Sequence, residues 1–287
     1  AKLKAFGADL IVALGGGSAM DCAKAMTFFA KGDAKLVAIP TTSGSGSEVT
    51  DFAILTHNKV KHPLVDKRLR PAMAILDSDL LQELPASLIA DSGFDVLTHA
   101  VEAYVATEAG AFSDMLAQEA FRSAYGALPA SFAGRKEVRL KVHQAATMAG
   151  MAFTEAGLGL CHAMAHSLGG MFHVAHGKLN AVLLPSVVAT NAHVAGAKYA
   201  QLARACGMGG TADTIAVRNL RNNLIRLRRE LKLPETLAQA GIAPAALRSA
   251  MNDVVKATLA DPCCNTNPMK IEDFLVRRIL EEVTGRV

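Results

Sequence analysis

The stretch DLIVALGGGSAMDCAK, Asp9 to Lys24, settles the fold class. Asp9 to Leu14 is a short, continuous apolar run, the pattern of a strand buried in a parallel sheet. Gly15-Gly16-Gly17-Ser18 follows without a spacer, and Ala19 to Ala30 reads as a helix. Glycines at the end of a strand let backbone approach an anion closely. The free N–H groups and the dipole at the helix start favour negative charge there. The phosphates of a nucleotide cofactor are the natural guest, with Ser18 as an added donor or N-cap; a plain tight turn is the alternative. The spacing is neither GxGxxG nor GxxxxGK(S/T), so neither standard label applies.

The same grammar continues outward. Ala1 to Gly7 looks helical, and Leu36 to Ile39 is a second buried strand that runs into Pro40-Thr41-Thr42-Ser43-Gly44-Ser45-Gly46-Ser47. Phe52 to Leu64 has the composition of a β excursion, and Met73 to Leu76 is a further apolar strand. Two hydroxyl- and glycine-rich loops at the carboxyl ends of parallel strands share one rim, where α/β sheets bind ligands. From Pro85 the period changes to that of helices: Ser87 to Ala106, Ser113 to Ala127, Val138 to Thr154 and His162 to Phe172, then a series to the C-terminus. The reading is α/β followed by all-α: an α/β part over residues 1–84 and an all-helical part over 85–287.

The 287 residues suffice for two cores, and 51% apolar with 20% charged residues fits a globular chain. A net charge of +4 is too mild to indicate a nucleic-acid partner. The densest basic run, Arg218, Arg221, Arg226, Arg228 and Arg229, alternates with leucines and reads as the solvated face of an amphipathic helix. Five cysteines, two of them adjacent, do not make a disulfide framework, which points to a reducing cytoplasm. No apolar stretch stands out as a membrane span, so no membrane partner is expected.

The chemistry concentrates in two stretches, FDVLTHAVEAY and GLGLCHAMAHSLGGMFHVAHG. Asp95 and His99 are four apart, so a helix presents both on one face; Glu102 lies beside them with no reason in the sequence to be a ligand. His162 and His166 repeat that spacing on a second helix, and His173 and His176 follow Gly169-Gly170, where a break is expected. An aspartate among Val96, Leu97 and Val101 is costly to bury without a partner, and so are the histidines. A divalent cation removes that cost. Nitrogen and oxygen donors suit Fe²⁺, Zn²⁺, Mn²⁺ or Co²⁺, and spacing does not choose which histidines bind. HExxH is absent, so a zincin protease is not indicated.

Taken together, GGGSAMDCAK, PTTSGSGSEVT, DVLTHAVEAY and GLGLCHAMAHSLGG…HVAHG make the whole chain resemble the iron-containing alcohol dehydrogenase family, nearest its ethanol/propanol type. The resemblance implies a dehydroquinate synthase-like fold, a partial Rossmann-like dinucleotide-binding domain over residues 1–84 and an all-helical metal-binding domain over 85–287, with Asp95, His99, His162 and His176 as metal ligands and His166 close to the nicotinamide. It puts Gly16, Gly17, Ser18 and Asp21 in the first cofactor loop. Thr41, Thr42 and Ser45 fall in the second, where Ser43 and Ser45 stand in place of the commoner Ala and Thr. Lys61 and Leu80 match further dinucleotide contacts. The resemblance also implies an N-terminal segment before Ala1, holding the first βα units and the turn that recognises the adenosine ribose. Without that segment the sheet is expected to have an exposed edge.

The activity so implied is reversible hydride transfer between a small primary alcohol or aldehyde and NAD, with NADP not distinguished. The metal is Fe²⁺, with Zn²⁺ as the alternative, and the protein is a homodimer or larger homo-oligomer. It would be cytoplasmic or held in a bacterial microcompartment. His166 is the expected proton relay and His173 a weaker candidate, while Cys161 packs. Glycerol dehydrogenase-like and dehydroquinate synthase-like enzymes share the architecture. The absence of Lys and Arg from Gly157 to Gly177 argues against an acidic sugar-phosphate substrate. A truncated, non-catalytic assembly element is the reading from another class; it need bind neither metal nor NADH.

Overall fold

The computed structural model describes residues 2–30, 34–57 and 60–285, without the side chains of residues 2, 4 and 56–63. The chain begins with α1 (Lys2–Phe6), β1 (Leu10–Gly15), α2 (Gly17–Ala30) and β2 (Lys35–Pro40). β1 and β2 run parallel in register from Leu10↔Lys35 to Gly15↔Pro40, and β2 pairs with the short β5 (Met73–Ala74), giving the order β1-β2-β5. β3 (Phe52–His57) and β4 (Val60–Val65) are a separate antiparallel hairpin, the expected β excursion.

One expectation about β1 needs correcting. Ala13 packs with Met20, Ala23, Leu36 and Ala38 in a small core, but Leu10, Val12 and Leu14 are 51%, 55% and 58% exposed. β1 is an edge strand, and its run of apolar residues has one covered face among the described residues. Composition reports that a strand wants burial on two faces; it does not report what covers them.

Helices follow: α3 (Ala86–Val105), α4 (Ala111–Phe132), α5 (Arg139–Ala156), α6 (Leu160–Phe172), α7 (His176–Ala205), α8 (Asp213–Glu230), α9 (Pro244–Leu259) and α10 (Asp273–Thr284). α3 is exposed in its first turn but buried continuously from Gly93 to Val105, so over that stretch it is a central helix with no wet face. Phe94, Leu97, Phe121, Leu128, Leu160, Met164 and Leu168 are fully enclosed around it. α7 is long and apolar enough to cross a membrane by length and composition, but 72% of its apolar window is buried inside the molecule. It is a core helix, and Pro185 and the non-helical Ala195 (φ −106°) interrupt it.

Two local readings change. α6 continues through Gly169-Gly170 and stops at His173, which takes the left-handed conformation (φ 56°) and donates its backbone N–H to Gly169 O at 3.1 Å. Glycine permits a break but does not force one where packing favours the helix. Arg228 leaves the solvated face predicted for it: it is buried, with Nη1 donating to Ala181 O at 3.2 Å and Nη2 3.4 Å from Glu235.

What positions the site is the joint between the layers. The Lys24 ammonium on α2 is fully buried and donates to Thr50 O (2.8 Å), Thr50 Oγ1 (3.0 Å) and Phe52 O (2.7 Å), fastening the end of the second loop and the start of β3 to α2. Ser43 Oγ lies 3.0 Å from His143 Nδ1, and Thr147 Oγ1 donates to Glu48 at 2.6 Å. Both contacts press that loop against α5.

A candidate metal and cofactor cleft

Three helices bring the sequence's candidates together. Asp95 and His99 lie one turn apart on α3, His162 and His166 one turn apart on α6, and His176 opens α7. Asp95 Oδ1 is 3.5 Å from His162 Nε2 and 3.6 Å from His176 Nε2. The His99 ring stacks on His162 with centroids 4.4 Å apart, and Asp95, His99 and His162 each offer an atom within 4.8 Å of the others. Donors held at ~2.1 Å around one tetrahedral ion are roughly 3.4 Å apart, close to the two separations from Asp95, and His99 lies beside them.

Charge points the same way. Burial would raise the Asp95 carboxyl, but the His99 and His176 imidazoles and the hydrogen bond from His162 outweigh it and hold Asp95 below the usual carboxylate range. Burial drives His99 down to about 3 and His176 well below its ordinary value, so both rings keep a lone pair. Burial also opposes a proton on His162, yet hydrogen bonds to Asp95 and Glu102 lift it to about 9. Two buried carboxylates bracket one imidazole, a surplus of negative charge that a cation balances.

Partners that the sequence did not reveal complete the shell. Asn180, fully buried on α7, donates Nδ2 to Asp95 Oδ1 at 2.6 Å. His166 Nδ1 is 2.9 Å from Asp261 Oδ2, and the His166 and His176 rings stack at 5.1 Å. Burial would raise Asp261, but its bond to His166 prevails and holds it low. Asp261 sits in ADPCC, far along the chain, and no spacing rule connects it to His166. Cys161 is buried and packs against Asn180.

The four candidate ligands and His166 line a cavity of about 110 Å³ together with Asp21, Ser45, Ser47, Thr50, Phe52, Ala53, Ile54, Phe153 and Leu158. That is several times the ~10–15 Å³ one water needs, room for a small molecule against a partly apolar wall. No Lys or Arg is among these lining residues. His173 is not among them either.

The glycine loops meet as expected on one rim: Thr41 N donates to Gly15 O at 2.9 Å, and Gly16 and Gly17 lie against Thr42 and Ser45. Ser18 is in the first turn of α2 and lines an adjacent groove with Asp21 and Cys22. Asp21 also braces the rim, accepting from Ser47 Oγ at 2.9 Å and Ile54 N at 3.1 Å. Leu80 is partly exposed on the turn Ser78–Leu81 and is not among the residues that line the cavity. Lys61 lies on β4, and its side chain is outside the described residues.

Glycine-rich strand ends opening onto buried imidazoles and a carboxylate put the chain among metal-dependent, nicotinamide-linked oxidoreductases. More narrowly, the chain belongs to the iron-containing alcohol dehydrogenase family, whose members interconvert alcohols and aldehydes with NAD(P). Residues 1–78 match its "Iron-containing alcohol dehydrogenase" description, and residues 89–284 match "Fe-containing alcohol dehydrogenase family, C-terminal". The chain is 40% identical over 295 residues to the 1-propanol dehydrogenase PduQ of Salmonella typhimurium, covering 99% of this chain and 80% of that one. It is 36% identical to the NADPH-dependent butanol dehydrogenase of Clostridium saccharobutylicum, covering 97% and 77%. The iron-containing alcohol dehydrogenase of Thermococcus thioreducens superposes with a TM-score of 0.92 at 34% identity, over 98% of this chain and 79% of that one.

Proposed function

We propose that this protein holds a divalent metal, Fe²⁺ in preference to Zn²⁺, through Asp95, His99, His162 and His176, and interconverts a small, neutral primary alcohol and its aldehyde. The metal, when bound, supplies Lewis-acid polarisation of the substrate oxygen. The dinucleotide is NAD or NADP, seated along Gly16, Gly17, Ser18, Thr41, Thr42 and Ser45, with Asp21, Lys61 and Leu80 as further contacts. The observation that carries the reading is the approach of Asp95 to both His162 and His176 at the wall of a small cavity that, among the described residues, has no cationic lining.

The chain's own residues have separate tasks. Phe153, Leu158 and Phe52 exclude water and limit the length of the substrate. Rigid helices hold the reacting groups in place, which is where most of the advantage in a hydride transfer lies. His166 exchanges the alcohol proton: Asp261 engages its Nδ1, leaving Nε2 for the substrate side. The domain boundary falls near residue 85, so that the cleft lies between a nucleotide layer and a helical layer. The working form is a homo-oligomer in a reducing, cytoplasmic compartment, in keeping with five free cysteines.

Metal analysis of anaerobically purified protein, combined with NADH fluorescence titration, tests the reading. Stoichiometric metal and saturable NADH binding are expected. A chain that binds neither overturns the reading in favour of a non-catalytic relative, which need retain neither.

A further inference from the structure

α6 begins without a cap of its own. Gly159 stands at its N-cap position, and no side chain of the helix accepts its first N–H groups. Such orphan donors need partners when buried. Here they come from elsewhere in the chain. Glu102, on α3 and 2% exposed, accepts Cys161 N on Oε1 at 2.7 Å, and Gly159 N (3.1 Å) and His162 N (3.3 Å) on Oε2. Asn267 Oδ1 takes the remaining one, Leu160 N, at 3.1 Å. The same Oε2 of Glu102 lies 2.6 Å from His162 Nδ1.

A carboxylate that already accepts three backbone N–H groups takes Nδ1–H as a fourth. The His162 ring is thereby fixed in direction, with Nε2 turned to Asp95. The local sequence makes room for this. A Cβ on Gly159 would stand 2.9 Å from Glu102 Oε1 and 2.8 Å from Asn267 Oδ1, so glycine is what lets both acceptors reach the helix end.

We propose that Glu102 is a positioning residue whose one carboxylate both caps α6 and fixes the pose of His162, making the affinity of the metal site depend on that acceptor and not on the other cap, Asn267. The inference rests on His162 being a ligand. Orienting partners of this kind contribute about 10- to 100-fold in metal affinity.

The test is a Co²⁺ titration against a competing chelator, read by affinity and by the visible Co²⁺ spectrum, on the full chain and four variants. Glu102→Gln cannot accept all four N–H groups. It is expected to weaken Co²⁺ about 10- to 100-fold and to change the spectrum, with helical circular dichroism retained. Asn267→Ala removes one cap without touching His162; it is expected to lower Tm and keep the affinity. Wild-type affinity and spectrum in Glu102→Gln, or an equal loss of affinity in Asn267→Ala, overturns the proposal. Should Glu102→Gln not fold, Gly159→Ala carries the test by displacing the carboxylate, and unchanged affinity there is equally fatal. His162→Ala separates the two layers of inference. If it binds Co²⁺ as wild type does, the ligand assignment fails; if it loses Co²⁺ while Glu102→Gln does not, the coupling alone fails.

Discussion

The first turn of α7 meets the first half of α3 backbone to backbone: a Cβ built on Gly177 would lie 1.9 Å from the carbonyl oxygen of Asp91. Asp91 is one helical turn before Asp95, and His176 immediately precedes Gly177, so this contact sets how near His176 comes to Asp95. No flexible side chain can yield there, because both sides are main chain. Gly177→Ala is expected to move α7 outward, to cost about 1–3 kcal/mol in denaturant unfolding, and to reduce metal content. An unchanged midpoint with full metal would show that the helices can separate without consequence.

The donor set makes a second prediction. Asp95→Ala and His162→Ala should each lose metal and activity together, with the helical fold kept. Stoichiometric metal in both variants would remove the assignment. His166→Ala and Asp261→Asn should keep the metal and slow turnover, His166→Ala by about 100-fold or more if proton exchange limits the rate. A turnover number unaltered across the pH range would exclude His166 as the relay.

Much of this site was legible because its spacing is local. Asp95 with His99 and His162 with His166 needed nothing beyond the helical period, and GGGS after an apolar run needed nothing beyond strand chemistry. What escaped depends on which distant groups meet. Glu102 looked like a neighbour of the ligands with no task, because its partners are the N–H groups of another helix. Asp261, Asn180 and Asn267 act across long stretches of chain. Arg228 belongs to a basic run whose period fits a wet face, but the carbonyl of Ala181 draws it inward. His173, and not the glycine pair before it, ends α6, since backbone conformation there answers to packing.

His143 gives a pH prediction free of the metal. Its side chain is fully buried, Nδ1 meets Ser43, Nε2 has no hydrogen-bond partner among the described residues, and burial pushes it from 6.5 down to about 4. Between those two values the unfolded chain holds a proton that the folded chain does not, so stability rises with pH across the window. Conversely, the contribution is intact above about 6.5 and is lost as pH falls towards 4, by roughly 3 kcal/mol at most. His143→Gln should flatten the difference in unfolding free energy between pH 4 and pH 7 relative to wild type. Parallel pH profiles for the two proteins would mean that His143 titrates normally.

Lys24 tests whether the rim is held by charge. Burial lowers its ammonium to about 8, while Asp21, Glu48 and Asp51 oppose the fall, so the charged form prevails at neutral pH. Three donors meet three acceptors on Thr50 and Phe52. Replacing an entire buried ionic network with apolar groups can be neutral, but removing one partner strands the others. Lys24→Met would leave two main-chain carbonyls without their donor, and the half-buried Asp21 and buried Glu48 carboxylates without the nearby positive charge. A loss of about 3–5 kcal/mol is therefore expected, read from urea midpoints. NADH affinity should fall with it, because the loop from Ser43 to Phe52 loses its fastening to α2. Lys24→Met with Asp21→Asn should recover part of the stability, since the second change removes one of the stranded charges. A single variant costing under about 1 kcal/mol would mean that desolvation of the ammonium cancels its bonds, and that α2 and the second loop are joined by packing instead.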